Sequence, residues 1–146
     1  MLIGAPFGVW LMPLGRRYGE DPLLTRDLAV EVVRGIQGTD PRYLKVGAAP
    51  KHFTVYDGPE SNQPGSGGSG RMSFNADVSP DDLDQTWLDH WEAVVRRSGV
   101  HPLSGLMCSY SALNGVPMCG NRKMLTDKLR YGSAWPGHQH FSILFL

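Results

Sequence analysis

Apolar side chains recur at helical spacing along the first part of the chain. Four of them stand four residues apart: Leu24, Leu28, Val32 and Ile36. This spacing places them on one face of an α-helix, and Ala29 and Val33 widen that face. Asp21 and Pro22 suit the start of a helix, and Gly38 suits its end. The pattern predicts a first helix between Pro22 and Gly38.

Two further helices are predicted by the same kind of pattern. The second has a single apolar stripe: Leu83, Trp87, Trp91, Val94 and Val95. Ser79 is a capping residue, Pro80 fits the first helical position, and Gly99 follows the last turn. The third helix is shorter, and Asn121 can cap it. Its apolar positions are Met124, Leu125 and Leu129.

Short apolar runs between the helices predict strands. YLKVGAAPKHF, residues 43–53, predicts one strand with a break at Pro50, and LSGLMCSY, residues 103–110, predicts a second. Runs without strict alternation indicate strands that are buried on both faces. Helices alternating with such strands are typical of an α/β fold with a parallel sheet. Because two buried strands do not form a stable open sheet, the pattern indicates a section of a larger unit. The final run, FSILFL, is also rich in β-forming residues.

Charge and hydropathy narrow the classes of partner. The chain has 14 Lys and Arg against 14 Asp and Glu, so its formal net charge is +0. No basic stripe is visible, which argues against a nucleic-acid partner. No run of about 18 apolar residues occurs, so no membrane-spanning helix is expected. The apolar start, MLIGAPFGVWLMPLGRR, lacks a basic beginning and is interrupted by Pro6 and Pro13, so it is a poor secretory signal. The compartment therefore stays open.

Three features carry weak chemical signals. Cys108 and Cys119 bracket a turn-like stretch, and the sequence leaves a local disulfide and two reduced thiols equally open. NQPGSGGSG, residues 62–70, predicts a flexible loop, and its G-x-G-x-x-G lacks the adjacent strand and helix that a dinucleotide site needs. His138 and His140 have no third ligand nearby for a metal ion. We therefore expect no metal and no cofactor.

Polar and aromatic side chains stand at the ends of the two predicted strands. Lys51 and His52 lie near the end of the first strand, where their N–H groups can bind sugar hydroxyls. An ordinary strand-end pair exposed to water is the alternative interpretation. Met107 and Tyr110 end the second strand. A tyrosine there can pack against a sugar ring, whereas packing in the core is the simpler interpretation of Met107.

An ordered set of motifs resembles family 3 of the glycoside hydrolases. The motifs are GEDPLLTRDLAVEVVRGIQG, LKVGAAPKHF followed by YDGPES, MSFNADVSPDDL, GLMCSYSALNGVPMCGN and MLTDKLR. KHF, MCSY and NGVP are specific at these spacings, and the chain looks most similar to the β-xylosidase-like branch. The resemblance covers residues 18–130, so we expect a partial family domain there, with a divergent segment at residues 1–17 and a divergent tail at 131–146.

The resemblance implies both a fold and an activity. The fold is α/β, with this chain forming part of a (β/α)8 TIM-type barrel that has parallel strands and flanking helices. The activity is hydrolysis of O-glycosyl bonds by a retaining β-glycosidase, and the partner is a β-xyloside or β-glucoside. Lys51 and His52 match the family's sugar-binding pair, and Met107 and Tyr110 match positions that line the same pocket. Arg71 is a further candidate there. The resemblance implies no cofactor, no nucleic acid and no membrane partner.

Two departures from the family pattern concern its chemistry. The family has an Arg before the GEDP turn, at a place that Pro13 occupies here. It also has a strand ending in Ser-Asp after the LTDKLR helix, and that Asp is its nucleophile. Here no Asp or Glu follows Asp127, although this hydrolysis needs two carboxylates. Only Asp57 and Glu60 could lie near the site. We therefore expect an inactive internal fragment; the alternative is a non-catalytic carbohydrate-binding or regulatory remnant.

Overall fold

The structure of the chain is a computed structural model that describes residues 18–19, 21–56, 73–130 and 142–144. Within these residues, helices and short strands form an α/β arrangement with parallel strands. The loop predicted at residues 62–70 lies outside the described residues, and so do His138 and His140.

Helix 1 spans Pro22–Gln37, as the sequence predicts. Asp21 caps it, because its carboxylate accepts hydrogen bonds from the backbone N–H groups of Leu23 and Leu24 at 2.8 and 3.2 Å. Gly38 follows the helix with φ 80°, a conformation that glycine adopts without the strain of a side chain. Both predicted ends of this helix are confirmed.

The buried face of helix 1 is not the stripe that the leucine spacing indicates. Leu24 and Leu28 are 48% and 40% exposed. The buried face lies one residue further along the chain: Thr25, Ala29, Val33 and Gln37, with Val30 beside them. Helix 1 packs against helix 2, and Ala29 on its buried face is fully buried. The prediction is therefore wrong for Leu24 and Leu28, whereas Ala29 and Val33 are buried as predicted, and Val32 and Ile36 pack against the core.

Helix 2 runs through three consecutive segments, Pro80–Asp82, Leu83–Leu88 and Asp89–Arg96. The middle segment is π-helical. The hydroxyl of Ser79 caps the first segment by accepting a hydrogen bond from the backbone N–H of Asp82 at 3.1 Å. The predicted apolar stripe is confirmed, since all its members are buried: Leu83, Trp87, Trp91, Val94 and Val95.

Helix 3 is a short π-helical segment, Lys123–Lys128. The side-chain oxygen of Asn121 accepts a hydrogen bond from the backbone N–H of Met124 at 3.2 Å, so the predicted cap is confirmed. The apolar side of this helix is buried: Met124, Leu125 and Leu129.

The main sheet has three parallel strands, which lie side by side in the order β1 (Lys51–Phe53), β3 (Gly105–Cys108) and β6 (Ser142–Leu144). All four residues of β3 are buried, as the sequence predicts for a central parallel strand. The ring of Phe53 meets the ring of Trp91 edge-on, with 5.2 Å between centroids, and this contact joins the sheet to helix 2.

Both predicted strands are longer than the observed ones. Residues 43–50 lie outside any strand, because part of their backbone is hydrogen-bonded to Gln37 instead. The N–H of Lys45 donates to the carbonyl of Gln37 at 3.0 Å, and the N–H of Ala48 donates to its side-chain oxygen at 3.4 Å. Pro50 has no N–H to offer a strand ladder. The first strand therefore begins only after Pro50. Of the second predicted strand, only the residues of β3 are in a strand.

A second, smaller sheet was not predicted. It contains β2 (Asn75–Ala76), β4 (Ala112–Leu113) and β5 (Val116–Pro117). Strand β2 is parallel to β4, and β4 is antiparallel to β5. The tight turn between β4 and β5 consists of Asn114 and Gly115, with φ 49° and 81°. Asn-Gly is the strongest short signal for such a hairpin, so the sequence did contain the information.

Candidate functional site

Three aromatic rings meet at the C-terminal ends of β1 and β3. The ring centroid of His52 lies 4.5 Å from that of Tyr56 and 5.4 Å from that of Tyr110. The two tyrosine rings are 5.7 Å apart. All three side chains are half-buried, so part of each remains accessible to a ligand. These three residues are referred to below as the aromatic cluster.

Lys51 and Met107 lie side by side in the register of β1 and β3. Lys51 is half-buried, and Met107 is only 4% exposed. Leu106 and Cys108 belong to the main apolar core, whereas Met107 between them does not. Because successive residues of a strand point to opposite faces, Met107 lies on the face of the sheet away from that core. The structure therefore places Lys51 and Met107 next to each other across β1 and β3.

Tyr56 is the member of the aromatic cluster that the sequence analysis missed. It follows His52 by four residues in TVYDGPES, a stretch in which no helix or strand spacing is visible. The chain bends at Thr54, and the following Val55 has φ 54°, which β-branched residues rarely adopt. Tyr56 comes directly after these two residues and packs against His52. The sequence signal that points to Tyr56 is its position, because it is an aromatic residue three positions after the end of the first predicted strand.

Buried hydroxyl groups tie the two strand ends together beneath the aromatic cluster. The hydroxyl of Thr54 donates to the carbonyl of Trp87 in helix 2 at 3.1 Å. The hydroxyl of Ser109 donates to the carbonyl of Thr54 at 3.1 Å and also lies 3.1 Å from the hydroxyl of Ser111. The N–H of Ser109 donates to the carbonyl of Phe53 at 2.6 Å. The backbone that carries the rings is therefore held by several hydrogen bonds.

A disulfide bond joins Cys108 to Cys119. The two α-carbons are 5.3 Å apart, within the usual range for a disulfide. Cys108 ends β3, and Cys119 lies in the short 3₁₀ turn Met118–Gly120. Of the two alternatives that the sequence leaves open, the structure has the disulfide. The bond closes the loop that carries Tyr110.

Arg71, Asp57 and Glu60 lie outside the described residues, so their place at the site stays a prediction. Among the residues that the structure describes, no group of three or more His, Cys, Asp and Glu side chains could hold a metal ion. The described helices include none that is both long enough and apolar enough to cross a bilayer.

The described part of the site offers donors and ring faces. Lys51 carries an ammonium donor, His52 carries a ring N–H, and the two tyrosines contribute aromatic ring faces. Hydroxyl-rich, uncharged ligands are bound by this combination, because ring faces cover C–H surfaces while the donors meet the hydroxyls.

The family whose model matches the chain is the Glycosyl hydrolase family 3 N terminal domain, over residues 13–138. The exo-1,4-β-xylosidase bxlB of Emericella nidulans is 40% identical over 123 residues, which are 84% of this chain and 15% of that protein. The xylan 1,4-β-xylosidase of Xylanibacter ruminicola is 37% identical over 115 residues, which are 77% of this chain and 12% of that protein. The chain therefore spans a small part of the length of these relatives.

Solved structures show the same relationship. The GH3 exo-β-xylosidase XlnD, in complex with a xylobiose aziridine activity-based probe, superimposes with a TM-score of 0.70 at 28% identity. That match covers 86% of this chain and 15% of the other. The β-glucosidase 3B of Thermotoga neapolitana, in complex with glucose, gives a TM-score of 0.66 at 30% identity, covering 84% of this chain and 15% of the other.

Proposed function

The chain belongs to glycosyl hydrolase family 3, and we propose that its aromatic cluster and Lys51 form the sugar-binding side of a β-glycosidase pocket. The ligand we propose is a β-xyloside or a β-glucoside. Two observations support the sugar class. The relatives are named as xylosidases, and the similar solved structures hold a xylobiose-derived probe and glucose.

The meeting of His52, Tyr56 and Tyr110 is the observation that carries this proposal. These residues come from two separate chain segments, and their rings lie within 5.7 Å of one another at the carboxyl ends of adjacent parallel strands. In parallel α/β proteins, ligand sites are found at that end of the sheet. Lys51 and Met107, neighbours across the same two strands, extend the proposed site, and Arg71 is a further proposed member.

We further propose that residues 18–130, which include β1 and β3, form part of a (β/α)8 barrel. The parallel strands β1 and β3, with helix 2 between them in sequence, form one strand–helix–strand unit of the kind that such barrels repeat. The similarity to solved family 3 structures supports the proposal that the parallel strands belong to such a barrel.

Catalysis is not proposed for these 146 residues. Retaining hydrolysis needs one carboxylate as nucleophile and another as acid, and no Asp or Glu follows Asp127. Loss of such a unit removes several orders of magnitude of rate. We therefore propose binding without turnover for this chain, and hydrolysis for a longer protein that supplies the carboxylates.

Titration of the isotopically labelled chain with methyl β-xyloside, followed by NMR, tests the proposed binding. We expect saturable shifts at the signals of Lys51 and His52. Lys51→Met should weaken binding about tenfold, since it removes a charged donor and keeps the apolar stem. Lys45→Met is the matched control, because Lys45 is an exposed lysine of the connection before β1 and should bind as the parent does.

The same preparation is assayed with p-nitrophenyl β-xyloside to separate the remaining possibilities. No turnover above background is expected. Turnover by a single pure species would contradict the proposed inactivity and leave the proposed site intact. A dispersed spectrum without saturable shifts would contradict the sugar site itself, and a poorly dispersed spectrum would identify a chain that does not fold alone.

A further inference from the structure

Ser109 connects the two chain segments that carry the aromatic cluster. Its backbone N–H donates to the carbonyl of Phe53 at 2.6 Å, and its hydroxyl donates to the carbonyl of Thr54 at 3.1 Å. Ser109 is 1% exposed and Thr54 is equally buried, so water does not compete for either bond. One serine therefore makes two consecutive hydrogen bonds from the end of β3 to the end of β1.

Ser109 and Thr54, the two residues joined by the hydroxyl bond, both lie close in sequence to residues of the aromatic cluster. Ser109 immediately precedes Tyr110, while Thr54 lies midway between His52 and Tyr56 in the chain. Ser109 is buried inside the protein, whereas the next residue, Tyr110, is half-buried in the aromatic cluster. If Ser109 shifts relative to Thr54, the ring of Tyr110 moves relative to the rings of His52 and Tyr56.

We propose that Ser109 is a positioning residue that sets the place of Tyr110 against His52 and Tyr56. The expected effect on sugar affinity rests on the proposed sugar site, since the ring positions would determine that affinity. The positioning of Tyr110 by Ser109 does not depend on the sugar site, because the three rings meet without a ligand.

The hydroxyl group is the part of Ser109 that does this. The backbone bond to Phe53 would persist with any residue except proline, whereas the bond to the Thr54 carbonyl needs the side chain. Thr54 is itself anchored, because its hydroxyl donates to the carbonyl of Trp87 at 3.1 Å. Through this pair of hydrogen bonds, the hydroxyl of Ser109 fixes the position of Tyr110 relative to helix 2 as well as to β1.

Three variants of the full chain test this role. Ser109→Ala removes the hydroxyl, and Ser109→Thr keeps it. Ser98→Ala is the matched control, because Ser98 is also buried and its hydroxyl also donates to a backbone carbonyl, that of His101, at 2.9 Å. Ser98 precedes β3, at the opposite end of that strand from Ser109.

The first measurement needs no sugar. Ring-current effects make the side-chain proton shifts of His52 sensitive to the position of the Tyr110 ring. We expect these shifts to move in Ser109→Ala and to stay at parent values in Ser109→Thr and Ser98→Ala. The midpoint of thermal unfolding should fall in both alanine variants, since each loses the bond from a buried hydroxyl to a backbone carbonyl.

The second measurement is the titration with methyl β-xyloside. We expect Ser109→Ala to bind about threefold to tenfold more weakly, with parent affinity in the other two variants. His52 shifts that do not move in a folded Ser109→Ala chain would overturn the proposal. A collapsed spectrum for Ser109→Ala beside a dispersed one for Ser98→Ala would also overturn it, by assigning Ser109 to the stability of the whole fold. If the parent chain binds no xyloside while the His52 shifts move as expected, the sugar site fails and the positioning role stands.

Discussion

The side-chain oxygen of Gln37 accepts hydrogen bonds from both the backbone N–H and the hydroxyl of Ser104, each at 3.0 Å. Gln37 is the last residue of helix 1, and Ser104 immediately precedes β3. The amide nitrogen of Gln37 donates to the carbonyls of His101 and Pro102 at 3.3 and 3.1 Å. The N–H of Ala48 also donates to this side-chain oxygen. The fully buried side chain of Gln37 therefore provides hydrogen-bond partners for the backbone segments that lead into both β1 and β3.

Gln37→Leu is expected to lower the free energy of unfolding by roughly 3 kcal/mol, because it leaves several buried backbone groups without partners. Chemical denaturation measures this. Gln85→Leu is the control, since Gln85 is exposed on helix 2 and its replacement should change stability by less than about 0.5 kcal/mol. Equal midpoints for the two variants would contradict the role given to Gln37.

Tyr56→Leu is expected to weaken binding of methyl β-xyloside by up to about tenfold, because an aromatic face is replaced by a smaller apolar group. Calorimetric or NMR titration measures the dissociation constant. Tyr43→Leu is the control, since Tyr43 is 69% exposed and lies on the connection before β1, outside the aromatic cluster. Parent affinity in Tyr56→Leu would remove Tyr56 from the proposed site.

The sequence predicts elements whose causes are local. Caps at Asp21, Ser79 and Asn121 are side-chain hydrogen bonds to backbone a few residues away, and each is present. The core face of helix 1 depends instead on which residues helix 2 meets, so periodicity correctly includes Ala29 and Val33 but wrongly includes the exposed Leu24 and Leu28.

The site shows the same division between local and distant causes. Lys51 and His52 are candidates because of their place at a strand end and because of the family resemblance. Tyr56 packs against His52 across the bend at Thr54 and the positive φ of Val55, 54°, neither of which a periodic pattern encodes. The bonds from Ser109 to β1 link residues more than fifty positions apart, and sequence spacing carries no information about them.

Loss of the Cys108–Cys119 disulfide is expected to lower the free energy of unfolding by about 3 kcal/mol, because the bond closes a short loop and restricts the unfolded chain. Denaturation with and without dithiothreitol measures the effect. The double variant Cys108→Ala, Cys119→Ala is the control and should be insensitive to the reductant. A parent chain that unfolds at the same denaturant concentration in both conditions would contradict the prediction.

Acid is expected to destabilise the fold through His90. Burial lowers the pKa of His90 from 6.5 to about 4, and its Nδ1 has no hydrogen-bond partner in the described structure. Above pH 6.5 the residue is neutral in both folded and unfolded chains. As the pH falls from 6.5 to about 4, the unfolded chain takes up a proton that the folded chain does not. Up to about 3 kcal/mol of stability is therefore lost across this window.

His90→Leu isolates that contribution from the carboxylates that titrate in the same range. The free energy of unfolding is measured for the parent and the variant at several values between pH 8 and pH 4. The difference between the two chains should shift in favour of the variant as the pH falls. A constant difference across the range would show that His90 does not carry the acid sensitivity.

Two glycine-to-alanine changes are expected to act in opposite directions. Gly115 has φ 81° in the β4–β5 turn, where an added side chain is strained although the space around it is open. Gly115→Ala should therefore lower the free energy of unfolding by about 1 kcal/mol. Gly35 lies inside helix 1 with no heavy atom within 4 Å of an added methyl group, so Gly35→Ala should raise it by a similar ~1 kcal/mol. Thermal and chemical denaturation of both variants provide the comparison, and because each is the other's control, a change of the same sign in both would refute the backbone explanation.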